Sequence, residues 1–87
     1  MIIYNMEEKM DVLVKLEKVF RDVFDDETIV INRDTTAYDI EDWDSLMQMQ
    51  LIMSSEAVFG IKFTAKDVIG LKNVGDFVDC ISAKLNS

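Results

Sequence analysis

The sequence predicts an all-α domain: a four-helix bundle of three long helices and one short one, with a long loop between the first two. Three observations carry this. The chain has 87 residues with no proline and glycine only at 60, 70 and 75, so little interrupts a helix. Apolar residues recur at helical spacing along its long segments. Hydrophobic residues make up 49%, enough for a packed core and too many for a disordered chain. The length suits a single domain over 1–87, with a modest core.

The first helix is predicted over residues 6–24. Val12, Leu13, Leu16, Val19, Phe20 and Val23 share one side, with Met6, Met10 and Phe24 at its edge. Glu7, Asp11, Lys15, Lys18, Arg21 and Asp22 take the other. That is an amphipathic pattern with a core face and a wet face. Asp11 with Lys15 and Glu17 with Arg21 are favourable i,i+4 pairs. Lys9 falls inside the apolar sector and must reach outward along its methylene stem.

Residues 25–42 lose the pattern. Asp25-Asp26-Glu27 closes the helix, and Thr28-Ile29-Val30-Ile31 reads as an extended segment whose isoleucines pack onto the core. Asn32, Asp34, Thr35 and Thr36 are turn formers. A connection this long is often functional, and it suits a bundle with one crossover.

The second helix starts near Ser45 and runs to Phe59, with Asp44 or Ser45 as N-cap and Gly60 as C-cap. It carries two apolar stripes. Leu51, Ile52, Ser55 and Phe59 form one; Leu46, Met49 and Met53 form the other, with Met47 and Val58 at a border. A short surface helix needs one buried stripe, so two stripes mean either a helix buried on both sides or one that offers an apolar face to a partner. The first stripe already supplies a core face, which favours the partner surface. Thr64 to Ile69 forms a short helical turn, capped by Thr64 and closed by Asp67. The last helix opens at Asn73, and Val74, Phe77, Val78, Ile81 and Leu85 make its core stripe.

The charge of −8, from 17 acids and 9 bases, argues against nucleic acid as a partner. It also serves solubility. The lone Cys80 allows no internal disulfide, fits a reducing compartment such as the cytoplasm, and reads as an inert, partly buried side chain. The apolar opening Met1-Ile2-Ile3-Tyr4 is too short for a signal peptide or a membrane span. With no histidine and one cysteine, the chain lacks a zinc cluster and any Ser/His or Cys/His nucleophile pair. It is not expected to be an enzyme.

The chemistry concentrates in Asp39-Ile40-Glu41-Asp42-Trp43-Asp44-Ser45-Leu46. A serine here is, on its own, an ordinary helix cap. The acids are either a solvated loop with capping duties or a docking rim for basic partners. Trp43 reads as an anchor that packs the loop onto the bundle.

In this helix order, Asp44-Ser45-Leu46 resembles the Asp-Ser-Leu of acyl carrier proteins. Phe59-Gly60-Ile61 and Val74-Gly75-Asp76 are similar to two further motifs of that family, at matching spacing. The resemblance covers roughly residues 6–85 and implies that Ser45 carries 4′-phosphopantetheine, donated from coenzyme A by a phosphopantetheinyl transferase. It further implies a monomeric carrier whose arm holds an acyl or aminoacyl thioester for loading and acyl-using enzymes. Asp44, Leu46, Met47, Met49, Gln50 and Met53 would then face those partners. The family usually has acids two and five residues after the serine, where this chain has Met47 and Gln50. That difference suggests a dedicated partner set in a specialised pathway, and Trp43 resembles D-alanyl and other specialised carriers. The competing expectation is a helical interaction module that is never modified.

Overall fold

The computed structural model describes the backbone of residues 2–86 and the side chains of residues 7–86. Four helices follow in order: α1 (Ile2–Phe24), α2 (Ser45–Phe59), α3 (Ala65–Ile69) and α4 (Val74–Leu85). Among the described residues there is no strand; Thr28 lies in a turn with Asp26, and Ile29 to Ile31 has no regular secondary structure.

α1 begins earlier than the expected residue 6, because nothing between Ile2 and Asn5 breaks a helix. The side chain of Met6 lies outside the described residues. At 23 residues α1 is about 35 Å long, close to the 37 Å long dimension of the molecule. It packs against both α2 and α4.

Val12, Leu16, Val19 and Phe20 of α1 form the core with Leu51 and Ile52 of α2 and Val74, Phe77, Val78 and Ile81 of α4. Ile31 joins them from the loop. Two expected core-side residues stay outside. Met10 is 66% exposed, so the buried face of α1 is narrower than its apolar sector. Leu85 is 44% exposed, one turn beyond Ile81 at the end of α4. Lys9 does reach outward, and its ammonium lies 3.0 Å from Asp79.

The connection from α1 to α2 is fixed from both sides. α1 ends at Asp25, whose left-handed backbone (φ 52) does what a glycine commonly does. Glu17 and Arg21 form their expected pair at 3.0 Å. They also do more: Glu17 Oε2 accepts from Ile31 N–H at 3.0 Å, and Arg21 Nε donates to the Ile29 carbonyl at 2.8 Å. Across the loop, Val74 N–H donates to the Thr35 carbonyl at 2.9 Å and Gly75 N–H to the Arg33 carbonyl at 2.8 Å. The first N–H groups of α4, which no helix can satisfy internally, are thus spent on the loop. Arg33 forks onto Asp79 with bonds of 3.0 and 2.9 Å, beside Lys9. That carboxylate ties α1, the loop and α4 together, and Arg33 holds it below its ordinary pKa.

Gly75 is required by this approach. A Cβ there would sit 2.9 Å from the Arg33 carbonyl oxygen, which is backbone and cannot swing away. Gly75→Ala is expected to cost about 1–3 kcal/mol through overpacking. In a domain of this size the melting temperature should fall by roughly 4–8 °C per kcal/mol. An unchanged melt would show that the loop can shift freely.

α3 and α4 carry the expected capping boxes, Thr64 with Asp67 and Asn73 with Asp76. α3 is anchored through Asp67, whose Oδ2 accepts from Thr64 N–H at 2.8 Å and meets Lys84 Nζ at 2.8 Å. The Lys84 bond, then the Thr64 N–H, hold the Asp67 carboxyl at a pKa of about 2. A lowered pKa contributes stability that is present above the unfolded value and lost as pH falls through the folded one. Melts of wild type and Asp67→Asn should therefore differ at about pH 5 and converge as pH approaches about 2. A pH-independent difference would mean that Asp67 acts without its charge.

Candidate functional site

α2 starts from a loop that turns sharply. Asp42 has φ 71 and sits third in the turn closed by Trp43 N–H to the Ile40 carbonyl at 3.4 Å. That position calls for a left-handed residue, which aspartate tolerates. The turn sends Trp43 inward. Its ring meets Phe20 edge-on at 5.2 Å, with Phe24 and Phe77 at 6.5 Å. Its indole N–H donates to Gln48 Oε1 at 2.7 Å, one turn into α2. The start of α2 is therefore clamped to α1 and α4 through one tryptophan.

The N-cap is Asp44. Its Oδ1 accepts from Met47 N–H at 3.0 Å, and its carbonyl accepts from Gln48 N–H at 2.9 Å. Ser45 is the first helical residue and is exposed. The Ser45 and Leu46 N–H groups have no intrahelical acceptor, and the helix dipole places positive potential beside the Ser45 hydroxyl. An open cleft of about 460 Å³ lies there, lined by Ala37, Trp43, Asp44, Ser45, Gln48, Leu71 and Lys72.

The acids around Ser45 separate by duty. Asp39 Oδ2 accepts from Thr36 N–H at 2.9 Å. Asp42 makes the turn and Asp44 the cap. Glu41 is exposed, and no hydrogen bond or ion pair holds it among the described residues.

Along α2 the two stripes divide as the spacing predicts. Leu51, Ile52 and Ser55 are buried and Phe59 is half-buried. Leu46, Met49 and Met53 are 65%, 54% and 63% exposed. Gln50 is exposed, whereas Met47 is half-buried and presents less to solvent than its border position suggests. Glu56, the helix's lone acid, accepts from Phe63 N–H at 2.8 Å and so closes the loop after Gly60. Gly60 (φ 66) returns its N–H to the Glu56 carbonyl as a left-handed cap. The exposed face of α2 thus offers no uncommitted charge.

Gln48 and Lys72 were not singled out from the sequence. Gln48 carries a readable signal, since it lies on the turn above Trp43. Lys72 carries none, because it reaches the cleft from the segment between α3 and α4. Among the described residues there is no metal-binding cluster, and no helix is long and apolar enough to cross a membrane.

These residues fit a serine-linked phosphodiester: an exposed hydroxyl, open helix N–H groups and a nearby lysine can receive an anion. The family described as "Phosphopantetheine attachment site" matches residues 14–81. An acyl carrier protein from Acidothermus cellulolyticus is 30% identical over 74 residues, covering 85% of this chain and 88% of that one. The solution structure of the holo acyl carrier protein from Geobacter metallireducens is similar at 48% identity with a TM-score of 0.82, over 86% of each chain. The chain belongs to the acyl carrier protein family and is a carrier whose cofactor is covalent 4′-phosphopantetheine.

Proposed function

We propose that the chain holds an acyl or aminoacyl group on 4′-phosphopantetheine attached to Ser45 and delivers it to the enzymes of a specialised pathway. One observation carries the assignment of Ser45. The cap of α2 is Asp44, so the Ser45 hydroxyl is not needed to start the helix and stands exposed beside a cleft. The arm supplies a thiol that holds cargo as a thioester. The chain's own residues fix its root: Trp43 and Gln48 lock the helix start, and the first-turn N–H groups favour the phosphate. Tethering raises the effective concentration of cargo at each partner. A single cysteine fits work in the reducing cytoplasm.

The proposed partner surface runs from Asp44 and Leu46 along Met49, Gln50 and Met53, with Met47 at its margin. Methionine side chains adapt to differently shaped apolar partners. With Glu56 committed to Phe63, a basic patch on a partner has no matching acid along this helix. Docking there is expected to rest on apolar burial, which is the basis for proposing dedicated partners.

Incubation of the apo protein with coenzyme A, magnesium and a phosphopantetheinyl transferase should give one arm's mass gain in wild type and none in Ser45→Ala. Ser45→Ala should change stability by less than about 0.5 kcal/mol, whereas Asp44→Ala should cost about 1 kcal/mol through the lost cap. A gain that persists without Ser45 would overturn the assignment. An unmodified wild type would favour a plain interaction module.

Met49→Glu with Met53→Glu should lower kcat/KM at a cognate loading enzyme by about tenfold or more. Met10→Glu, equally exposed but on α1, should leave it unchanged. Equal effects from both would place docking elsewhere.

A further inference from the structure

Among the described residues, Lys72 is the one cation lining the cleft beside Ser45. Its backbone is fixed, because its N–H donates to Asp76 Oδ2 at 2.9 Å, just before the capping box of α4. Its ammonium is uncommitted. Glu17 takes Arg21, Asp67 takes Lys84, and Asp79 takes both Lys9 and Arg33. Among the described residues no carboxylate lies within ion-pair reach of Lys72. Lys15, Lys18, Lys62 and Lys66 also form no ion pair among the described residues; Lys72 differs from them in lining the cleft beside Ser45, where an anion on the serine would meet it.

Neither nearby acid forms an ion pair with Lys72. Asp44 lines the same cleft with Oδ1 on Met47 N–H, and Asp76 turns Oδ2 to the backbone N–H groups of Lys72 and Asn73. The cleft also has walls for the rest of a long, weakly polar arm. Trp43 and Leu71 offer apolar surface, and Gln48 holds the indole in place.

Resting on the assignment of Ser45 above, we infer that Lys72 is a positioning residue for the arm. Its ammonium pairs with the phosphodiester on Ser45 and lays the arm into the cleft between the α1–α2 loop and the α3–α4 segment. The arm is thereby held away from the apolar face of α2, which stays clear for partners.

The test uses holo protein made in vitro, its modification verified by intact mass. Amide and phosphorus NMR spectra are recorded for apo and holo forms of wild type, Lys72→Gln and Lys72→Arg. In wild type, attaching the arm should shift the Leu71 and Lys72 amides and the Trp43 indole N–H. In Lys72→Gln, the shifts at Leu71 and Trp43 should shrink by about two- to fivefold, the range expected of an exposed ion pair. The phosphorus resonance should move as well, and Lys72→Arg should restore both. Raising salt from about 20 to about 500 mM should weaken the shifts in wild type and leave Lys72→Gln unaffected. A full mass gain with equal attachment shifts in wild type and Lys72→Gln would overturn the clamp alone. A wild type that gains no mass would overturn it together with the assignment of Ser45.

Discussion

An 87-residue bundle can bury little, and its long first connection would ordinarily be its loosest part. Here the backbone of that connection is shared between two helices. Glu17 and Arg21 satisfy it from α1, and the open N–H groups of Val74 and Gly75 satisfy it from α4. Each such bond contributes only about 0.5–1.5 kcal/mol net, but together they seat Ile31 in the core. The loop then works as a strut between α1 and α4. α2 packs on α1 through Leu51 and Ile52, but it starts at the end of this strut, so the position of Ser45 follows from it.

Trp43 converts the strut into a fixed starting point for α2. The indole closes an aromatic group built from α1 and α4, and its N–H reaches into α2. Such contacts stabilise by area and by the preferred edge-to-face arrangement. They also free Ser45 from structural duty, since Asp44 caps and Trp43 anchors. The three residues before Leu46 thus divide the work: one packs, one caps, one stands exposed.

What was legible in the sequence is what spacing encodes. The caps at Thr64, Asn73 and Gly60, the core stripes of α1 and α4, and the two faces of α2 all follow from short-range periodicity and local hydrogen bonding. The Asp-Ser-Leu motif added the candidate site. The loop's attachments were not legible, because Arg33 with Asp79 joins residues 46 apart, and nothing local marks either as a partner. For the same reason spacing shows Glu17 and Arg21 only as an i,i+4 pair, and nothing local marks Lys72. Gly75 is intermediate: its motif was visible, but its reason, the Arg33 carbonyl, lies across the fold.

The distribution of charge sets how the carrier can be read by others. The net charge of −8 invites a purely electrostatic account of docking, yet several acids near Ser45 have structural duties. The carboxylates of Asp39 and Asp44 accept backbone N–H groups of the loop and the α2 start, and Asp42 serves the turn through its backbone. Glu56 holds the end of α2, and Glu41 stays uncommitted among the described residues. A carboxylate that accepts a backbone N–H keeps its long-range field but has fewer lone pairs for a partner's lysine or arginine. Such charges can steer an approaching basic surface. In the docking proposed above they contribute less to the contact itself, which then falls to Leu46, Met49 and Met53. On that proposal encounter and recognition are separated: the field is general, while the fit depends on an apolar face with no charge to enforce register. A partner docking there would have to match that face by shape, which would make selectivity a matter of packing.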